Sequence, residues 1–260
     1  MIKRRRILIK SKFNDNILIL LPCFILPTLN WGILECTKLI LCYLTGNTKP
    51  FSNDYIVLSI ILESLIFSLI IIKYIKTHKN SFYQIDFKFN LNIATVINIT
   101  LLSIGLVMIL FFLIEHVFSI STISDNKDSI FVIILTCLIS PISEEILYRG
   151  FVFGSLRKNY NFKFSIFTQA LIFSIFHFDI IQSMYTFILG IILGIIYTYT
   201  NSLIGSILMH MIFNIFGTLI LPYLSRQFYY SSIVLFILGI FLLTYSSIKI
   251  YKNKPYFYRN

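Results

Sequence analysis

Two adjacent carboxylates, Glu144 and Glu145, stand in an apolar run, and Arg149 follows the second by four residues. A carboxylate in a bilayer interior costs several kcal/mol, roughly 2.5–3.5 for Asp on the insertion scale, and marks a functional site by default. On a helix Glu145 and Arg149 share a face, with the acid N-terminal to the base, the favourable order. Glu144 then points about 100° away. It has no counter-charge in register, which suits a general base. A purely architectural Glu–Arg clamp would use the same residues without chemistry.

Two later apolar segments supply partners. His177 closes the run Phe173-Ser174-Ile175-Phe176-His177, and His210 and Asn214 lie four apart on one helix face. Each alone reads as polar packing between membrane helices. Together, His210 and Asn214 are donors able to hold a developing oxyanion. Counted along their segments, Glu144, His177 and His210 all fall roughly 10–20 Å from one membrane edge, at 1.5 Å per residue. A base, two imidazoles and an amide in one layer suit activation of water and attack on a carbonyl: hydrolysis within a membrane.

The elements that must position these groups are apolar helices. The 260 residues are 57% hydrophobic and 13% charged, and the mean hydropathy is +0.83. A soluble domain carries about 25% charged residues. The expected fold class is all-α, a polytopic membrane bundle of about eight spans near 17–44, 55–75, 92–118, 130–154, 164–178, 180–199, 203–222 and 229–250. Pro22 and Pro27 predict a kinked or re-entrant start to the first. The net charge of +11 does not indicate nucleic acid, because the basic residues fall between the apolar runs and at the ends. Lys3 to Lys12, Lys73 to Lys88, Arg157 to Lys163 and Lys249 to Arg259 occupy alternate loops. That bias predicts both termini in the cytoplasm. The apolar stretch after the basic start is long and ends in no small-x-small cleavage site, so the N-terminal segment is expected to stay uncleaved. The expected division is a transmembrane scaffold over 1–129, largely lipid-facing, a catalytic core over 130–222, and a last span with a basic tail over 223–260.

Other residues carry weaker signals. Cys23, Cys36, Cys42 and Cys137 form no metal-binding spacing and read as small buried side chains. Glu35 and Lys38 form an i,i+3 pair, and Glu115-His116 lies near an interface. Glu63, inside the second span, has no evident role. Gly190 and Gly194 make a face for close helix packing.

These residues resemble the CPBP family of intramembrane proteases, the CAAX prenyl endopeptidase and bacteriocin-processing group. Its three signatures occur in order: Glu144-Glu145 with Arg149 and then Gly150-Phe151, Phe173 with His177, and His210 with Asn214. The likeness covers roughly 130–220. It implies that Glu144 and His177 activate the water, that His210 and Asn214 hold the oxyanion, and that Glu145 and Arg149 brace the site. No cofactor is expected. The family's frequent label of metalloprotease leaves zinc on Glu144, His177 and His210 as the alternative, with water fourth.

The expected partners are membrane lipids and a membrane-associated peptide or protein substrate, in a bacterial plasma membrane. Two other classes compete. A bacteriocin self-immunity factor or scaffold would keep the fold without catalysis. A small proton-coupled transporter would also use membrane carboxylates and His, but neither repeated halves nor paired broken helices are visible.

Overall fold

Four helices begin at side chains that replace missing backbone partners. Asn92 accepts from Thr95 N at 2.7 Å, Asn161 from Phe164 N at 2.9 Å, Asp179 from Gln182 N at 2.7 Å, and Ser202 from Ile204 N at 3.2 Å. Each is a preferred N-cap type, satisfying a donor the helix cannot. The structure is a computed structural model that describes residues 21–46, 58, 60–62, 64–69, 73, 91–118, 130–227 and 231–252.

Among these residues there are helices and no strands. Helix α1 is Leu26–Thr45, preceded by a π-helical turn over Leu21–Ile25, and α2 is Ile93–His116. Helix α3 runs from Ile130 to Asn159 and is π-helical over Leu135–Ile139 and Ile146–Phe153. Helix α4 is Phe162–Ile175 and α5 is Ile180–Thr200. Helix α6 is Leu203–Gln227, with a π-helical stretch over Phe216–Ile220, and α7 is Ser231–Lys252. The protein is an all-α membrane bundle: five described helices are long and apolar enough to cross a bilayer, α1, α2, α5, α6 and α7. Helix α3 has the length but carries Glu144, Glu145 and Arg149 inside it. The second expected span and Glu63 fall largely or wholly outside the described residues.

Two expectations need correction. The third span is not lipid-facing scaffold. Helix α2 is the most buried of the five, and Ile99, Leu102, Leu106 and Phe111 form one core with Leu189, Leu193, Met209 and Phe213 of α5 and α6. It is apolar on all sides, as an interior helix must be. Nor does the fifth apolar run make a full span. Helix α4 has 14 residues, about 21 Å at 1.5 Å per residue, against roughly 30 Å of hydrocarbon.

Small residues set the closest approaches. A Cβ on Gly105 would stand 2.6 Å from the backbone nitrogen of Leu243 and 2.9 Å from Gly239 O, so α2 and α7 touch backbone to backbone. The expected Gly190 and Gly194 face packs on α4. A Cβ on Gly190 would lie 3.1 Å from Ala170, and one on Gly194 3.0 Å from Gln169 Nε2.

Candidate active site

The Glu–Glu box sits near the middle of α3, where the helix changes winding. Glu145 and Arg149 are wholly buried, with Arg149 Nη1 2.8 Å from Glu145 Oε1. That i,i+4 pair is the one the spacing predicts. A third member joins it across the bundle: His210 Nδ1, on α6, lies 2.9 Å from the same Glu145 oxygen. A carboxylate only accepts, so Nδ1 carries the proton and donates to Glu145. His210 Nε2 then faces Glu144 Oε2 at 3.8 Å. In neutral His210 that nitrogen is an acceptor. Donation to an oxyanion from Nε2 requires the imidazolium.

His177 is not on a helix face. It lies beyond the end of α4, in the turn into α5. The turn is fixed by three bonds: His177 N to Ser174 O, Phe178 N to Ile175 O and Asp179 N to His177 O, at 3.1, 3.3 and 2.8 Å. Phe178 takes a left-handed φ of 56°, a conformation costing a non-glycine residue roughly 1–2 kcal/mol. Its ring packs on Trp31 of α1, with centroids 5.0 Å apart. His177 Nδ1 lies 2.8 Å from Phe173 O. A carbonyl cannot donate, so this imidazole too keeps its Nε2 lone pair free for the site. Phe173 stands between the imidazoles, edge-on to His177 at 4.8 Å and to His210 at 5.9 Å.

Asn214 is tied to α3 by a consequence of proline chemistry. Around Thr136 the helix is π-wound, and the N–H five residues on would bond Thr136 O. That residue is Pro141, which has none. Asn214 Nδ2 donates to the orphaned carbonyl at 3.1 Å, leaving its second N–H for the site.

The sequence reading missed Gln169, fully buried on α4. Its Nε2 donates to Gly190 O at 2.8 Å, the oxygen that also accepts from Arg149 Nη2 at 3.4 Å. The guanidinium also stacks on Phe173, 4.7 Å from its centroid. A lone Gln at the middle of an apolar helix was the available signal. Glu145 Oε2, Arg149 Nε and Gln169 Oε1 are buried without hydrogen-bond partners among the described residues. A half-satisfied polar cluster destabilises a fold, so its retention points to use.

A cavity of about 350 Å³ opens beside Asn214, between α2, the start of α5, and α6. Its lining includes Tyr185. Among the described residues no three His, Cys, Asp or Glu side chains group so as to hold a metal ion. Glu144, His177 and His210 do not form such a group in this structure.

Residues 126–216 match the family model described as type II CAAX prenyl endopeptidase Rce1-like. That segment is similar to this family over about a third of the chain. It contains Glu144, Glu145, Arg149, Phe173, His177, His210 and Asn214, the residues on which the resemblance rests. A Bacillus subtilis (strain 168) protein named "Putative membrane peptidase YdiL" is 29% identical over 109 residues, covering 39% of this chain and 45% of that protein. The chain thus spans under half the length of that relative. No solved structure matches the chain.

Proposed function

We propose that this protein is an intramembrane endopeptidase of the CAAX-protease type, hydrolysing a peptide bond of a membrane-associated peptide or protein. The observation that carries the reading is Glu144 Oε2 facing His210 Nε2 at 3.8 Å, one helical turn from Asn214, which lines the cavity.

Water held by Glu144 and His177 Nε2 attacks the carbonyl carbon, and its proton passes to Glu144. The carbonyl oxygen becomes an oxyanion, which takes the free N–H of Asn214 and, in the protonated form, His210 Nε2–H. Glu145 accepts from His210 Nδ1 and so holds the ring with Nε2 toward the site, and Arg149 holds Glu145 in place. Glu144 returns the proton to the departing amine as the C–N bond breaks. The base is thus a glutamate. The Rce1-like likeness and the printed name of the relative support a peptidase, and the clustering of the box residues supports these roles.

The basic loops support a plasma membrane location with both termini cytoplasmic. The test in cells is a comparison of membrane and secreted peptides with wild type and with Glu144→Ala. Peptides that accumulate or vanish with the carboxylate identify the substrate. Identical peptide sets with a wild-type phenotype in Glu144→Ala would favour a non-catalytic immunity factor or scaffold.

A further inference from the structure

The cavity beside Asn214 joins two chemistries that the hydrolytic reading leaves unused. One wall is hydrocarbon, from Val107 and Phe111 of α2 and Phe213 of α6. Asp179, Gln182 and Tyr185, at the start of α5, line the same space. At about 350 Å³ it lies at the small end of ligand pockets, which run roughly 300–1,000 Å³. It accommodates one or two side chains rather than a folded domain.

Asp179 is the anomaly. Its Oδ1 caps α5 at Gln182 N, 2.7 Å away. Its other carboxylate oxygen has no partner, and no cation pairs with it among the described residues. The residue is exposed. A cap alone is served as well by Asn or Ser, so the negative charge exceeds what the helix needs. The chain carries a formal net charge of +11. An exposed, unneutralised acid in the lining of a largely apolar cavity is thus a local reversal of the protein's overall charge. It is also linked to the site, because Asp179 N bonds His177 O at 2.8 Å.

We infer that this cavity is the subsite for a cationic peptide segment: an apolar side chain enters it and a Lys or Arg close to the scissile bond pairs with Asp179. This rests on the peptidase reading and names the substrate class for it. Asp179 is then a specificity residue. It recognises charge near the bond that breaks and takes no proton in the reaction.

Binding tests the inference separately from cleavage. The protein carrying Glu144→Gln, in lipid nanodiscs, is titrated with fluorescent peptides that differ at one position after an apolar residue: Lys, Gln or Glu. The expected result is Lys bound tightest, roughly fivefold over Glu, the upper range of a solvent-accessible ion pair. The margin should shrink in high salt. Adding Asp179→Asn, which keeps the cap, should bring the ratio to about one or below, and Asp179→Lys should invert it. The overall charge alone would favour the Glu peptide from the start. Equal binding of Lys and Glu peptides, a Lys preference that survives Asp179→Asn, or no binding of any peptide would overturn the inference. Charge-selective binding that depends on Asp179, with no cleavage of the same peptides by wild type, would sink the peptidase reading and leave this site standing.

Discussion

Arg149 and Gln169 share one acceptor. They stand on α3 and α4, and both donate to the carbonyl oxygen of Gly190 on α5, at 3.4 and 2.8 Å. From there the contacts run through Glu145 to His210 on α6. Four helices thus meet in one polar line, and the bare Cα of Gly190 lets α4 close on it.

The first prediction concerns that line. Arg149→Ala strands Glu145 as a buried, unpaired charge, which typically costs about 3–5 kcal/mol. The expected outcome is a sharp loss of folded protein, read as a lower midpoint of thermal unfolding in detergent. A variant as stable as wild type would show that Glu145 does not depend on this partner.

The second concerns the crossing of α2 and α7. A methyl on Gly105 meets backbone atoms at 2.6 and 2.9 Å, and backbone cannot swing aside as a side chain can. Gly105→Ala should destabilise by about 1–3 kcal/mol and widen the crossing, although it lies away from the chemistry. Activity per folded molecule should fall less than yield. Unchanged yield would contradict the close approach.

The pairs Glu145–Arg149 and His210–Asn214 were legible because a spacing of four is a helical repeat, and a helix turns spacing into a shared face. The Glu145–Arg149 ion pair and the Glu35–Lys38 pair, 2.8 Å each, follow from sequence alone. What pairs across helices does not. His210 was expected beside Asn214 as a second oxyanion donor, yet its Nδ1 goes to Glu145, a choice made by the crossing of α3 and α6. The place of His177 in a turn was hidden because Ala170 to Phe178 holds no Gly or Pro, and hydropathy carries no mark of where a helix stops. The burial of α2 was equally hidden, since a lipid-facing helix and an interior one have the same composition.

Topology is the third prediction. Reporter fusions after Asn90 and after Asn260 should both read cytoplasmic, and one after Asp125 should read external. An external C-terminus would break the alternation of basic loops on which the orientation rests.

The fourth concerns zinc. Purified protein is expected to contain no stoichiometric zinc, and His210→Asn should keep measurable turnover, reduced by about 10²–10³ as for loss of one oxyanion donor. Elemental analysis giving near one zinc per chain, lost with activity in His177→Ala and His210→Ala, would replace the glutamate mechanism with a metal-dependent one.

The claim on which the rest depends is that Glu144 is the base for peptide hydrolysis. The direct measurement is the cleavage rate of one fluorescence-quenched substrate peptide by wild type and Glu144→Gln in nanodiscs, with unfolding midpoints compared in parallel. Glu144→Gln keeps the size of the side chain and removes the proton acceptor. The account predicts matching midpoints and a rate lower by about 10²–10⁴, the usual worth of a general base. Equal rates from two equally folded proteins would contradict it.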